Sequence, residues 1–491
     1  LYSDQVHQSL YQINTKALLS TLGPRATIDS IPNSLLDSLA AKGIDWVWLL
    51  GVWAIGPTGR EISLSHKEWH REYKRALPDL EERDICGSPF AVASYSVEHT
   101  LGGEAALARF RERLEQRGIN LLLDFVPNHI GFDHPWVKSR PDFLIEGTEE
   151  DLKAHPDCWA RVGNSIFANG RDPHYPGWPD TLQLNFFNPQ LRAAIIGELR
   201  SVAARCRGVR CDMAMLLEPE VFHRTWSGRD AYDGDFWRPF WPEAIQSVKR
   251  DTPDFMFLAE VYWGYEGKLQ EHGFAYTYDK TLYDRLLHRE PQGVLSHLKA
   301  PQSFLCRTAH FLENHDEPRI ASKVSPDEQR AAATVSFLAP GLRFFHHGEW
   351  EGMKVRIPVH LNRGPVEVSD ETIEQMYDIL IPIVNSPAGK NGTWHLLEPG
   401  EAWATNPTHL NFLAYYITHE SGDLFVVVNY ADYQGQCFIT IPTGITIPNS
   451  VVLHDQFSDA TYTREAADLQ SRGMYFDVAG FTTHIFSVRS A

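Results

Sequence analysis

The strongest constraint in this sequence is a rhythm. From Tyr11 to about Thr393, short β-branched or aromatic runs alternate with longer amphipathic stretches, the pattern of repeated strand–helix units. LYQINT (10–15) precedes a helical SLLDSLAAKG, IDWVWLLGV (44–52) follows, and EAALARFRERLEQRG leads into INLLLDFV (119–126). The unbroken apolar run of INLLLDFV suits a strand buried on both faces. GVRCDMAML (208–216), FMFLAEVYW (255–263), FAYTYD (274–279), RTAHFLENHD (307–316) and LRFFHHGE (342–349) continue the series, each separated by enough chain for a crossover helix. Eight parallel strands, each followed by a helix, make an α/β fold of the (β/α)8 TIM-barrel type.

Two segments break the rhythm. Residues 130–185 are rich in Pro, Gly, Trp and Asp and too long for a strand–helix loop, so they read as a small domain B inserted after the third strand. From about Glu401 the helical period vanishes. LNFLAYYITHESGDLFVVVNYADYQGQCFITIP and GMYFDVAGFTTHIFSV alternate and carry hairpin signals, so the tail reads as a C-terminal antiparallel β-sandwich. The expected division is a barrel over 1–129 and 186–400, the insert over 130–185 and the β domain over 401–491.

Composition excludes some partners. The chain has 491 residues with 45 Lys+Arg against 63 Asp+Glu, a formal charge of −18 with no local basic patch, which disfavours nucleic acid and anionic membrane surfaces. No apolar run approaches the roughly 20 residues that span a bilayer. Six scattered cysteines form no CxxC pair and read as buried thiols. With a start, LYSDQVHQSLYQ, that lacks signal-peptide character, they lean towards a cytoplasmic location, although a first residue other than Met is also what a removed leader leaves behind.

Barrel chemistry sits where strands end. Four apolar runs end in polar residues: LLLDFVPNH (Asp124, Asn128, His129), GVRCDMA (Arg210, Asp212), LAEVYW (Glu260) and FLENHDEPR (Glu313, Asn314, His315, Asp316, Arg319). A charge inside such a run is costly to bury unpaired. An internal salt bridge accounts for one of them, but three carboxylates, an arginine and two histidines exceed what a barrel core needs. Converging carboxylates with no cysteine nucleophile, phosphate-binding loop or His-rich metal cluster suit glycosidic bond cleavage, in which one carboxylate attacks ionised and another stays protonated to release the leaving oxygen. Trp46, Trp48 and Trp53 suit sugar faces and barrel core alike, and His346 and His347 in FFHHGEW read as packing.

DFVPNH, GVRCDMAM, LAEVYW and FLENHD, in this order and at these strand ends, resemble the four signature regions of the α-amylase family, glycoside hydrolase family 13. The resemblance extends to the whole layout of barrel, domain B and C-terminal β-sandwich. It implies that Asp212 is the nucleophile, Glu260 the general acid and then base, and Asp316 the carboxylate that binds sugar hydroxyls and distorts the ring. It implies that Arg210 holds the nucleophile ionised, that His129 and His315 hydrogen-bond the sugar at subsite −1, and that the strand-three Asp124 is supporting. CGSPFAVASYSV resembles the family's segment after strand two. Phe90 stands there for the tyrosine that stacks on the −1 sugar, Ser94 for an aspartate, and Tyr95 keeps the second aromatic.

Other positions depart from the family pattern. Met215 and Leu216 replace the Lys-His pair that many members use for the +1 sugar and calcium. LQLN (182–185) puts Gln183 where calcium-dependent members have an aspartate, and Asn128 alone does not make a hard-cation site. The resemblance therefore carries an expectation of no required cofactor and no metal ligands, since the family's calcium is not supported by the domain-B ligand pattern. HLNR (360–363) loosely resembles the loop that supplies a −2 arginine, which makes Arg363 a candidate, and Tyr262 and Trp263 are candidates for the +1 side. The expected function is a retaining hydrolase of α-1,4-glucosidic bonds in malto-oligosaccharides or α-glucan. The alternative is a transglycosylase or small-saccharide α-glucosidase using the same intermediate. A non-catalytic binding subunit fits least, because the carboxylates are all present.

Overall fold

The computed structural model describes residues 6–229 and 237–491. Eight parallel strands close into a barrel in sequence order: β1 (Ser9–Asn14), β2 (Trp46–Leu50), β3 (Asn120–Phe125), β4 (Gly208–Cys211), β5 (Met256–Ala259), β6 (Tyr276–Tyr278), β7 (Thr308–His310) and β8 (Leu342–His346), with β8 pairing back onto β1. All eight lie within the runs read from the sequence or overlap them. Asp124 and Arg210 lie inside β3 and β4, whereas Asp212, Glu260 and Asp316 fall beyond the ends of β4, β5 and β7, on the C-terminal rim.

The crossover helices start on local chemistry. Asn188 accepts from the Gln190 amide at 2.9 Å at the head of Pro189–Ala203, and Ser325 does the same for Glu328 at 3.2 Å before Pro326–Phe337. Pro326–Phe337 is buried on nearly every side, Ala331, Ala332 and Ala333 included, because it lies between the barrel and the C-terminal sheet.

The insert after β3 is bracketed by an antiparallel pair, His129–Gly131 with Thr181–Gln183, and holds a hairpin of Trp159–Val162 and Ser165–Ala168. The β2-to-β3 connection is a second excursion that the sequence rhythm did not single out. It pairs Trp53–Ile55 with Val92–Val97 and carries helices Pro57–Ser65 and Lys67–Ala76. A small apolar cluster of Tyr73, Leu77, Ile85 and Leu361 joins this excursion to the loop after β8.

The C-terminal β domain stacks a six-stranded sheet on a three-stranded one. Its first strand is Thr393–Leu397, ahead of residue 401. Phe412–Thr418 is apolar along its length because both faces are covered. Leu413, Tyr415 and Ile417 join the barrel's core, while Phe412, Ala414 and Tyr416 join the core between the two sheets. Among the described residues no helix is long and apolar enough to cross a membrane.

Candidate active site

Arg210 is the centre of the rim. It is fully buried, and its guanidinium lies 5.4 Å from the Trp48 ring, 5.2 Å from Phe90 and 6.0 Å from Tyr278, so aromatic faces replace the water it gave up. Trp48 is therefore floor, not sugar platform. Nη1 donates to Asp212 Oδ1 at 2.7 Å, and Nη2 lies 2.7 Å from Glu260 Oε2 as an ion-pair contact. One guanidinium thus stands between the two carboxylates that the sequence placed 48 residues apart.

Glu260 has further partners. The Met213 amide donates to Oε2 at 2.7 Å and the Tyr262 hydroxyl to Oε1 at 2.9 Å. Met213 reaches that position with φ of 42°, a left-handed backbone uncommon outside glycine, directly after Asp212. Burial pushes Glu260 up to about 7, with Arg210 opposing and the charges of Asp212 and Asp316 adding to the rise. Burial also raises Asp212 against the pull of Arg210. The guanidinium does lower Asp212, as the resemblance implied, but desolvation outweighs it. The two carboxyls are close enough to titrate as a pair.

Asp316 stands at the cavity mouth with 44% of its side chain exposed. The partial burial it has works against charge, but the His315 imidazole, 3.1 Å away, and the more distant Arg210 and Arg356 hold it at about 2. Its turn is shaped by Asn314, whose Oδ1 accepts the amides of Asp316 and Glu317 at 2.9 Å each. His315 is tied on its other nitrogen to Gln12 Nε2 at 2.9 Å, and its ring packs 5.4 Å from Phe90.

Asp212, Glu260 and Asp316 line a cavity of about 350 Å³ with Phe90, His129, Met213 and Tyr262, while Arg210 and His315, the latter expected to bond the sugar directly, stand behind its wall. Burial lowers His129 to about 4, so it is a neutral hydrogen-bonding ring at ordinary pH, packed 5.0 Å from Trp178. A second cavity of about 480 Å³ shares Met213 and Tyr262 and continues past Trp263 and Tyr175. Trp263 lies there, 40% exposed and with φ of 64°, not in the first cavity.

Three candidate residues stand elsewhere. The Tyr95 hydroxyl is enclosed between the Val126 carbonyl (3.0 Å) and amide (2.9 Å), so it braces the β3 exit rather than facing the cavity. Asp124 is buried beside the barrel axis, accepting the Gly51 amide at 2.8 Å, the supporting place expected of it. Arg363 is also off the wall: its guanidinium is forked onto Asp84 at 2.7 and 2.9 Å and reaches Asp79 as well. Glu313 and Arg319 pair with one another at 2.5 Å, His346 is buried behind them, and the half-buried His347 accepts at its carbonyl from Arg319 at 2.8 Å. The sequence reading missed Trp69, Trp178, Asp180 and His360 on the cavity wall. His360 lies in the very HLNR stretch from which Arg363 was picked.

The residues at the family's calcium position do not fit a cation. Gln183 Nε2 donates to the Asn128 carbonyl at 2.9 Å and to Asn128 Oδ1 at 3.1 Å, so an N–H group points at the oxygens a calcium would need. Among the described residues no group of three or more His, Cys, Asp or Glu side chains is placed to hold a metal.

A closed parallel barrel with a carboxylate cluster at its C-terminal rim is the architecture of a barrel enzyme. The chain belongs to the α-amylase family, glycoside hydrolase family 13: the family model "Alpha amylase, catalytic domain" matches residues 91–377. Alpha-amylase 3 of Dictyoglomus thermophilum is 24% identical over 304 residues, 56% of each chain. The chain thus spans about half the length of that curated relative. Among solved structures, the noncanonic maltogenic α-amylase AmyB of Thermotoga neapolitana superposes with a TM-score of 0.70 at 18% identity over 98% of both chains. The α-amylase of Geobacillus thermoleovorans, solved with acarbose, gives 0.68 at 17% over 100% of this chain and 99% of that one. At these identities the structural likeness is one of fold.

Proposed function

We propose that the protein is a retaining α-glycoside hydrolase that cleaves α-1,4-glucosidic bonds in malto-oligosaccharides or α-glucan. The observation that carries this reading is the pairing of Asp212 and Glu260 on one buried guanidinium, where burial pushes both carboxyls up, Glu260 to about 7. Two carboxylates held this closely favour the short separation of a retaining pair, roughly 5–5.5 Å, over one that leaves room for a water between acid and base.

In this mechanism Asp212 attacks the anomeric carbon while Glu260 gives its proton to the glycosidic oxygen. The C–O bond breaks and a β-linked glycosyl-aspartate forms. Glu260, now ionised, takes a proton from water, whose oxygen attacks the same carbon as its bond to Asp212 breaks, freeing the carboxylate and restoring the α configuration. Asp316, ionised and half in solvent, is placed to bind hydroxyls of the sugar, with His129 as a neutral partner. Arg210 stabilises the charge that shifts between the two carboxylates.

A second reading, transfer to a sugar hydroxyl instead of water, is favoured by the second cavity, where Trp263 and Tyr175 offer exposed aromatic surface beyond the shared Met213 and Tyr262. Asp212→Asn and Glu260→Gln are each expected to cut turnover of maltotriose and starch by at least about a thousandfold with the fold intact by circular dichroism. Wild-type-like turnover in either variant, or a β-anomeric first product, overturns the assignment. Lengthened oligosaccharides among the products select transfer.

A further inference from the structure

Beyond the reaction itself, the two ends of the cavity differ in a way that bears on which bonds of a chain are reached. The leaving group of a bound sugar must point towards Glu260, its acid. That side carries Met213 and Tyr262 and runs on into the second cavity. The sugar's non-reducing end therefore points the other way, towards Trp69, Val359, His360 and Asp180.

That opposite end is walled. The indole of Trp69 stacks with the His360 ring at 4.2 Å and the His66 ring at 4.3 Å. His360 Nε2 lies 3.5 Å from Asp180 Oδ2, so the loop after β8 meets domain B across the cavity. Asp180 is 97% buried by its 3% residual exposure, and its Oδ2 has no hydrogen-bond partner. Apart from the 3.5 Å contact to His360, this buried carboxylate oxygen has room to accept a donor from a ligand in the cavity.

The wall is strapped in place. The Cys86 amide donates to the His360 carbonyl at 2.8 Å, Ile85 bridges Leu361, and the Asn362 amide donates to Asp84 O at 2.9 Å. Arg363 adds its fork onto Asp84, and Arg356 pairs with Glu72. The β2-to-β3 excursion and the loop after β8 thus hold each other, and opening this end would break several backbone hydrogen bonds at once. The cavity volume, about 350 Å³, sits at the small end of the roughly 300–1,000 Å³ of ligand pockets.

We propose that this wall makes the enzyme exo-acting: it accepts only the non-reducing terminus of a glucan, with a terminal hydroxyl donating to Asp180 and the Trp69–His360 stack excluding any chain beyond. This rests on the glycosidase reading. Positions along the interior of a long chain are then out of reach, and cleavage proceeds from chain ends.

The test compares p-nitrophenyl maltoheptaoside with the same compound blocked at its non-reducing end by a 4,6-acetal. Product sizes and rates are read by chromatography. The wild-type protein is expected to turn over the blocked compound at least 100-fold more slowly, and comparable rates on the two overturn the proposal. Turnover of neither compound overturns the glycosidase reading and the proposal with it, a result distinct from equal rates on both. His360→Ala is expected to raise the blocked-to-unblocked rate ratio at least tenfold, and an unchanged ratio removes the wall from the argument. The ratio is independent of how much of the variant folds. Asp180→Ala is expected to raise KM for the unblocked compound at least tenfold with kcat much less changed, and an unaltered KM refutes the terminal-hydroxyl contact.

Discussion

Removing the Tyr262 hydroxyl tests the electrostatics of the site with little change of shape. That hydroxyl donates to Glu260 Oε1 at 2.9 Å, and Tyr262 itself is kept neutral because burial, then the charge of Glu260, push its own ionisation well above the ordinary range. A hydrogen bond donated to a carboxylate favours the ionised form. Tyr262→Phe therefore makes the proton on Glu260 harder to lose. A hydrogen bond to a charged group is worth about 1.5–3 kcal/mol, and 1.36 kcal/mol is one pKa unit, so full loss corresponds to about 1–2 units. Cavity water replaces part of the bond, which leaves about 1 unit. Glu260 acts as an acid only while protonated, so kcat/KM of the wild type should fall as pH rises through about 7. In Tyr262→Phe the alkaline limb should move to about 8 while the acidic limb, set by Asp212, stays in place. The assay is kcat/KM on maltotriose over about five pH units, from about 4 to about 9, which covers both limbs. An alkaline limb that does not move, or moves down, refutes the assignment of the proton to Glu260.

Two further outcomes concern stability and metal. Asp279 accepts the Leu282 amide at 3.0 Å as a helix cap and lies 2.8 Å from His297 Nε2 and 3.2 Å from His310 Nδ1. Asp279→Ala should cost about 2–4 kcal/mol in urea unfolding followed by tryptophan fluorescence, with kcat within about threefold of wild type. Burial works against the Asp279 charge, but the two imidazoles outweigh it and depress its pKa, so its contribution is present above the unfolded carboxyl's pKa and fades as pH falls further. A loss below about 0.5 kcal/mol at neutral pH contradicts this account. Exhaustive treatment with a chelator should leave turnover within about twofold, because Gln183 offers nitrogen where calcium needs oxygen. Activity that vanishes and returns only with calcium refutes the proposed independence.

The barrel strands and the carboxylate cluster could be read from the chain because both leave marks in local sequence. A strand buried on both faces is an apolar run, and Asp212, Glu260 and Asp316 interrupt or end such runs at a cost that packing alone does not explain. Arg363 shows where this kind of reading stops. Its loop is the right one, but whether a guanidinium meets a sugar or Asp84 depends on a segment 279 positions away in sequence. Asp180 and His360 sit in irregular connections with no period to betray a face, Trp69 lies on a short helix of the β2-to-β3 excursion, and the three meet only once that excursion docks on the loop after β8. Tyr95 shows the same limit: matching the second aromatic of a family segment carries no sign of which way its hydroxyl turns, and here it turns to Val126.

The C-terminal sheet was drawn as a separate module, yet Leu413, Tyr415, Ile417, Val426, Val428 and Ile485 belong to the same apolar cluster as the barrel. Tyr415 and Tyr430 also donate to backbone carbonyls of Val335 at 3.3 Å and Leu286 at 3.1 Å, within helices of the barrel wall. A barrel cut free of this tail would present a broad greasy flank to water and leave Pro326–Phe337 bare on one side. The boundary visible in sequence is thus a seam in topology, not a line along which the protein can be divided, because the tail keeps the barrel's apolar flank from water.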